Sequence, residues 1–504
     1  MLDLPQPLGP TTPTNCPGSK KLVGSANDLK PESLMELRRT AVLLVVGSVG
    51  DQPDGAAQMA NTLRTPMLPD RHGEKPADKH KDQRAPLIPD NRGMNPLLAK
   101  LQPYPFERLK QLFASVTPNP ALKAISLGIG EPKHATPAFI QDALKAAVAT
   151  GLSAYPATAG EPALRRACAA WLKTRYDLTL DPATQVLPIN GSREALFALT
   201  QTVIDPTRPG ATVVSPNPFY QIYEGAALLS GAAPYYVPSD PARNFANDWD
   251  SVPTEVWART QLLFVCSPGN PTGAVMPLSE WEKLFALSDQ HGFVIASDEC
   301  YSEIYFREEA PLGGLEAAHQ LGRTDFKRLI AFTSLSKRSN VPGLRSGFVA
   351  GDAAIIQQFL LYRTYHGSAM SPVVQSASVA AWGDEAHVVD NRNQYRTKFA
   401  QVTPVLADVL DVKLPDASFY LWAGVPAGWQ GDDAAFAKAL YGAESVTVLP
   451  GSYLARDFNG SNPGQGRIRM ALVAETAECL EAAERIARFV RAHPQKIDPG
   501  SSPV

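Results

Sequence analysis

An α/β fold is what this sequence predicts: a mostly parallel sheet between helices, followed by a smaller α+β domain. Three observations predict it. Between about residues 137 and 370, short, wholly apolar runs alternate with helical patterns, as expected of strands buried on both faces. Segments bearing Gly, Pro, Asn and Asp follow those runs directly. Beyond about residue 370 the chain turns to amphipathic helices with a few strands.

Residues 1–93 are rich in Pro, Asn, Asp, Lys and Gly and, one apolar run aside, show no sustained periodicity. They bury too little surface to offset their ordering entropy and are expected to be a disordered extension. At Met94 the character changes. Met94-Asn95-Pro96-Leu97-Leu98 opens an apolar, aromatic segment with Tyr104, Pro105, Phe106 and Leu109, and Met94 reads as a natural initiator. Residues 94–136 are then an arm and part of the smaller domain, 137–370 the large domain, 371–492 the smaller domain and 493–504 a tail. Thr136-Pro137 supplies an N-cap and a first-turn proline for a helix with Phe139, Ile140, Leu144 and Val148. A second helix carries Leu164, Cys168, Trp171 and Leu172. The expected strands are Val186–Ile189, Thr212–Ser215, Leu262–Cys266, Phe293–Ala296, Leu329–Phe332 and Gly347–Ala350. Ser279-Glu280-Trp281-Glu282 reads as a capping box between two of them.

Composition excludes several classes of function. Lys+Arg 47 against Asp+Glu 50 leaves a net charge of −3, so no global basic field recruits nucleic acid or an anionic membrane. The five cysteines, Cys16, Cys168, Cys266, Cys300 and Cys479, are odd in number and include no C-x-x-C pair. That argues against a disulfide framework or a zinc site and fits a reducing cytoplasm. The apolar run 41–49, after Arg38-Arg39, is about half the roughly 20 residues a membrane helix needs. It also lies too far along the chain for a usual export signal.

Chemistry concentrates around Lys337, which ends Thr333-Ser334-Leu335-Ser336-Lys337, with Arg345 close behind in Pro342-Gly343-Leu344-Arg345. An amine that forms a Schiff base with a phosphorylated aldehyde needs such neighbours. Hydroxyls and a planar guanidinium fork can hold the phosphate while the amine reaches the aldehyde carbon. Alone, the string describes an ordinary basic loop. Asn190-Gly191-Ser192-Arg193-Glu194 follows a strand and opens a helix, whose free N–H groups suit a phosphate, though many helices begin after Gly-Ser. Ser267-Pro268-Gly269-Asn270-Pro271-Thr272-Gly273 could be a simple turn. Ser297-Asp298-Glu299-Cys300-Tyr301 puts a carboxylate at a strand end, costly to bury unless paired. All follow strands, where ligands bind in open α/β sheets.

The ordered strings N-P-T-G, S-D-E-x-Y and S-x-S-K-x-x-x-x-P-G-x-R-x-G resemble those of the class I/II aminotransferases, fold type I enzymes that use pyridoxal 5′-phosphate. The resemblance covers about residues 94–492 and makes 137–370 the cofactor-binding domain. It implies that Lys337 bears the cofactor and shuttles a proton, and that Asp298 pairs with the pyridine nitrogen. Tyr301 and Asn270 would meet the ring's phenolic oxygen, and Tyr220 would stack on the ring. Ser192, Arg193 through its backbone, Ser334, Ser336 and Arg345 would hold the phosphate. Tyr155 would reach the partner subunit's phosphate, which implies a homodimer with shared active sites. For the substrate, Arg469 would clamp the α-carboxylate, with Arg467 as its competitor on the same strand face, and Gly130 and Asn270 would lie against it.

Within that family, Tyr104-Pro105-Phe106, Gly130–Pro137, Cys266–Gly273 and Tyr362–Ser371 resemble the N-succinyldiaminopimelate aminotransferases. That resemblance implies transfer between glutamate and N-succinyl-2-amino-6-oxopimelate, in lysine and diaminopimelate biosynthesis. Arg363, Tyr365, His366 and Lys133 are then candidates for the distal carboxylate, although Arg363 would equally suit an internal ion pair. Other amino-acid specificity, or a C–S lyase or synthase on the same fold, is the alternative. A DNA-binding regulator on this fold would need a winged helix, and residues 1–93 lack its periodicity. A chain beginning at Met94 is expected to keep the melting temperature, cofactor content and rate of the full chain; loss of any would show that the extension packs on the catalytic body.

Overall fold

The computed structural model describes residues 93–495; the expectations for the N-terminal extension, its apolar run and the end of the tail lie outside the described residues. The six expected strands between residues 186 and 350 all form, and with the helices between them they make an α/β structure. In chain order the strands are β1 Val186–Ile189, β2 Thr212–Asn217, β3 Ala233–Asp240, β4 Ala246–Asn247, β5 Thr260–Cys266, β6 Val294–Asp298, β7 Leu329–Ser334 and β8 Gly347–Gly351. They form one eight-stranded sheet in the order β1-β8-β7-β6-β5-β2-β3-β4. The stretch from β7 to β3 is parallel, while β8 runs antiparallel to both its neighbours and β4 to β3.

The helices that build the two regions include α1 Ala138–Gly151, α2 Pro162–Tyr176, α3 Ser192–Val203, α4 Ile222–Leu229, α5 Leu278–His291, α6 Leu335–Arg338, α7 Ala353–His366, α8 Pro372–Trp382, α9 Ala386–Ala407, α10 Asp433–Glu444 and α11 Thr476–Ala492. Successive strand residues point to opposite faces, so each strand serves two cores. Leu263, Val265 and Ile295 pack with Trp171 of α2, Trp281 of α5 and Trp382 of α8. Leu262, Phe264 and Ala296 pack with Leu196 of α3, Tyr223 of α4 and Phe359 of α7. Burial on both faces explains why these strands lack polar alternation.

A second sheet holds β9 Tyr420–Gly424, β10 Leu449–Pro450 and β11 Arg467–Ala471, with β11 central and antiparallel to both. It packs on α9, α10 and α11 through Tyr395, Phe399, Phe436, Leu440, Ile486 and Phe489. Ile125–Ser126 pairs with Val446–Thr447, which binds the segment ahead of α1 to this region.

Three local expectations need correction. Helix α1 is capped by Pro137, and the Thr136 hydroxyl donates instead to the Asn340 carbonyl (2.9 Å). Helix α5 begins at Leu278 behind Pro277, so Ser279 lies inside it and caps nothing; Glu280 accepts from the Trp249 indole (3.3 Å). Helix α8, expected just beyond the boundary at 370, packs on α1 and α2, so the change of region falls one helix later.

Arg363 is fully buried in α7. It donates to the Pro188 carbonyl (2.6 Å) and the Ser368 hydroxyl (3.0 Å) and lies 3.5 Å from Glu194 of α3. It therefore ties α7 to β1 and α3 and is not a distal substrate cation. Arg363→Ala would strand a buried carbonyl and a carboxylate, at about 3–5 kcal/mol. Denaturant unfolding should show a midpoint loss of that size; a variant within about 0.5 kcal/mol of wild type would contradict this role.

Candidate active site

The register aligns the carboxyl ends of the central strands, with Cys266 opposite Asp298 and Asp298 opposite Phe332. The Asn270 loop, Asp298 and the one-turn helix α6 with Lys337 therefore emerge side by side. They line one cavity of about 520 Å³ with Gly130, Ser192, Arg193, Tyr220, Tyr301, Ser334, Ser336, Arg345 and Arg469. Every residue that the resemblance assigns to the cofactor or the α-carboxylate, Tyr155 aside, is thus brought together, while the distal candidates Lys133, Arg363, Tyr365 and His366 line no part of this cavity. Tyr155 is fully exposed and outside this cavity.

Lys337 donates to the Gly130 carbonyl (2.9 Å). Burial, with Arg469 and Arg345 adding to it against Cys300 and Glu131, pushes its amine down to about 8. Asp298 is buried, which raises its pKa. It accepts from the Tyr223 hydroxyl (2.7 Å) and the Cys300 N–H (3.4 Å), both neutral donors. A carboxylate held this way in a cavity wall suits a cationic ring N–H.

Arg469 lies over the Tyr420 ring (4.3 Å) and donates to Asn270 Oδ1 (3.1 Å) and the Gly128 carbonyl (3.0 Å). Its Nε is buried and makes no hydrogen bond, a donor left unmet. Arg467, the competitor, lies outside the cavity, 3.5 Å from Asp411 and over Phe245. Tyr301 meets the Tyr420 hydroxyl (3.2 Å). At Gly130 a Cβ would collide with that same Tyr420 hydroxyl, so only glycine lets this loop approach the ring.

The opposite end of the cavity is built for an anion. Gly191 (φ +82°) precedes α3 without any side-chain cap, which leaves the first N–H groups of that helix free. A Cβ there would collide with the Arg345 guanidinium. Ser336 N–H and the Ser334 hydroxyl meet at 3.1 Å, and the two hydroxyls at 3.0 Å. Arg193 donates through Nε to the Tyr220 hydroxyl (2.8 Å). These donors, Asp298 at the far wall and Lys337 between them fit pyridoxal 5′-phosphate.

Sequence reasoning missed Tyr223 and Tyr420. Tyr223 had a signal, since it lies three residues beyond Tyr220, and the two rings meet edge-on with centroids 5.8 Å apart. Tyr420 had none, because it reads as one more apolar strand residue. Of the distal candidates, Lys133 lies 3.8 Å from Glu478, His366 lies 3.7 Å from Glu194, and Tyr365 is exposed.

This fold and donor set define an enzyme of the pyridoxal-phosphate transferase type. The chain belongs to the aminotransferase class I and II family, whose model matches residues 123–486. It is 57% identical to an aminotransferase from Neisseria meningitidis (TM-score 0.76; 79% of this chain, all of that one). The LL-diaminopimelate aminotransferase of Desulforudis audaxviator is 33% identical over 394 residues, 77% of this chain and 96% of that protein. A probable N-succinyldiaminopimelate aminotransferase from Thermus thermophilus is 26% identical (TM-score 0.68; 76% and 99% covered). The family's members depend on pyridoxal 5′-phosphate, and that is the cofactor here.

An ordinary lysine stays protonated to a pKa of about 10.4. In the cofactor-free protein, the reactivity of Lys337 toward a lysine reagent should therefore rise with a midpoint near 8. A midpoint above about 10 would show an amine left in water.

Proposed function

We propose that the protein transfers an amino group between glutamate and N-succinyl-2-amino-6-oxopimelate, as a cytoplasmic homodimer. The observation that carries the transaminase chemistry is the buried, pKa-lowered Lys337 amine between Asp298 and Arg469. When bound, the cofactor supplies an electron sink for bond breaking at the substrate α-carbon.

The residues have distinct work. Lys337 would anchor the cofactor and would move the proton at the substrate α-carbon with its own Nζ. A depressed pKa suits that task, because the amine must both take and give a proton near neutral pH. Asp298, steadied by the Tyr223 hydroxyl, would hold the proton on the ring nitrogen. Tyr301 and Asn270 would meet the phenolic oxygen, and Tyr220 would cover the ring. Arg345, Ser192, Ser334, Ser336 and the Arg193 main chain would take the phosphate. Arg469 binds the α-carboxylate in a bidentate fork, with Asn270 and the Tyr420 ring fixing its plane. Gly130 lets the substrate lie against the backbone. Tyr155, exposed on its own subunit, reaches the partner's phosphate.

For the acceptor, support comes from the Gly130–Pro137, Cys266–Gly273 and Tyr362–Ser371 segments and from the Thermus thermophilus structure. A second reading, LL-diaminopimelate as donor, has the support of the relatives at 33% identity that bear that name. A coupled assay of the purified enzyme with both substrates decides. Higher kcat/KM for the succinylated acceptor is expected; a preference for LL-diaminopimelate would overturn the acceptor and leave the transaminase.

Asp298→Asn keeps the phosphate contacts and loses the charge on the ring nitrogen. Cofactor affinity should change little, while turnover falls about a hundredfold or more, roughly 2.7 kcal/mol. Turnover within about threefold of wild type, under roughly 1 kcal/mol, would remove this role.

A further inference from the structure

We propose that Lys398, His134 and Asn391 form a hydrogen-bonded relay that positions the main chain at Lys337 and the Gly130 loop as one unit. The inference rests on Lys337 being the cofactor-bearing amine. None of the three lines the active-site cavity, so they are positioning residues and do not touch substrate or cofactor.

Lys398 and Asn391 lie two turns apart on one face of α9, and both are buried, as is His134. Lys398 Nζ is 2.9 Å from His134 Nε2, and His134 Nδ1 is 2.8 Å from Asn391 Oδ1. Asn391 Nδ2 donates to the carbonyls of Lys337 (3.2 Å) and Arg338 (3.4 Å). Its Oδ1 also accepts from Asn340 (3.0 Å).

The direction of this chain follows from its end. An ammonium only donates, so Nε2 of His134 accepts and the proton sits on Nδ1. Nδ1–H then needs an acceptor, which fixes Asn391 with its oxygen toward His134 and its amide group toward the two carbonyls. The observed distances satisfy every step. Tyr395 supports both members, its ring centroid 4.5 Å from that of His134 and 4.9 Å from Lys398 Nζ. Burial lowers the pKa of His134 and of Lys398. Lys133, Glu475, Glu478, Asp390 and Cys479 surround the pair.

A buried ammonium without an ion pair is costly, and an apolar side chain of similar volume would often stabilise the site. Lys398 makes its hydrogen bond to His134 alone among the described residues. Keeping it there is accounted for if it fixes the histidine. His134 also lies in the same loop as Gly130, whose carbonyl receives the Lys337 amine (2.9 Å). The relay thus holds both the residue that bears the amine and the carbonyl toward which that amine points. Misplacement of a reacting group by 1 Å can cost about a hundredfold in rate.

The test uses the dimeric holoenzyme and four variants: His134→Leu, His134→Gln, Lys398→Met and Lys337→Ala. In His134→Leu, kcat should fall about tenfold or more with KM within about twofold. The midpoint of the pH-dependent visible band of the bound cofactor should move by about half a unit or more. His134→Gln, whose amide can accept from Lys398 and donate to Asn391, should restore both toward wild type. Lys398→Met should fall between. The relay is overturned if His134→Leu keeps the wild-type kcat and band, or if His134→Gln is no better than His134→Leu. Should His134→Leu not fold, an unchanged band and kcat in Lys398→Met overturns it. A Lys337→Ala protein that keeps the wild-type band response would instead overturn the reading of Lys337 itself.

Discussion

The site depends on taking one ammonium out of water without giving it a carboxylate to hold. Lys337 sits on a one-turn helix that β7 delivers to the carboxyl edge of the sheet, and its amine meets a neutral carbonyl. Burial and the nearby Arg469 and Arg345 guanidiniums drive its pKa down. An ion pair in that position would have kept the proton on and made the amine a poor nucleophile and base. The flanking cations lower the amine, and in the proposed function the same two guanidiniums take the substrate carboxylate and the cofactor phosphate.

The sheet makes that arrangement possible. Parallel strands buried on both faces end together at one edge, so loops far apart in sequence meet there. Asp298 is held at a strand end by a phenol and a backbone N–H, both neutral, which suits the ring nitrogen we propose it receives. The second sheet brings Arg469 and Tyr420 across the cavity, on neighbouring strands paired in one ladder.

Much of this was legible from the amino-acid order. The wholly apolar runs gave the strands, because burial on both faces removes alternation, and the motifs after them gave the cavity wall. Strand β3 was not legible: it carries Pro234 and Pro238, which read as breakers. It tolerates them because only Ser239 and Asp240 pair with β4, leaving most of its outer edge unpaired. The caps of α1 and α5 were misread because a proline one residue earlier already sets the entry angle. Arg363 showed the limit of motif reading. Its spacing allowed a substrate contact, but its guanidinium is spent on Pro188, Ser368 and Glu194 inside the fold. Tyr223 and the Lys398–His134–Asn391 chain depend on contacts between distant segments, which no local pattern announces.

The central claim is that Lys337 is the covalent anchor of the cofactor. Borohydride reduction of the holoprotein followed by peptide mapping tests it directly. The account predicts one pyridoxyl adduct, on Lys337. An adduct on any other lysine would contradict it.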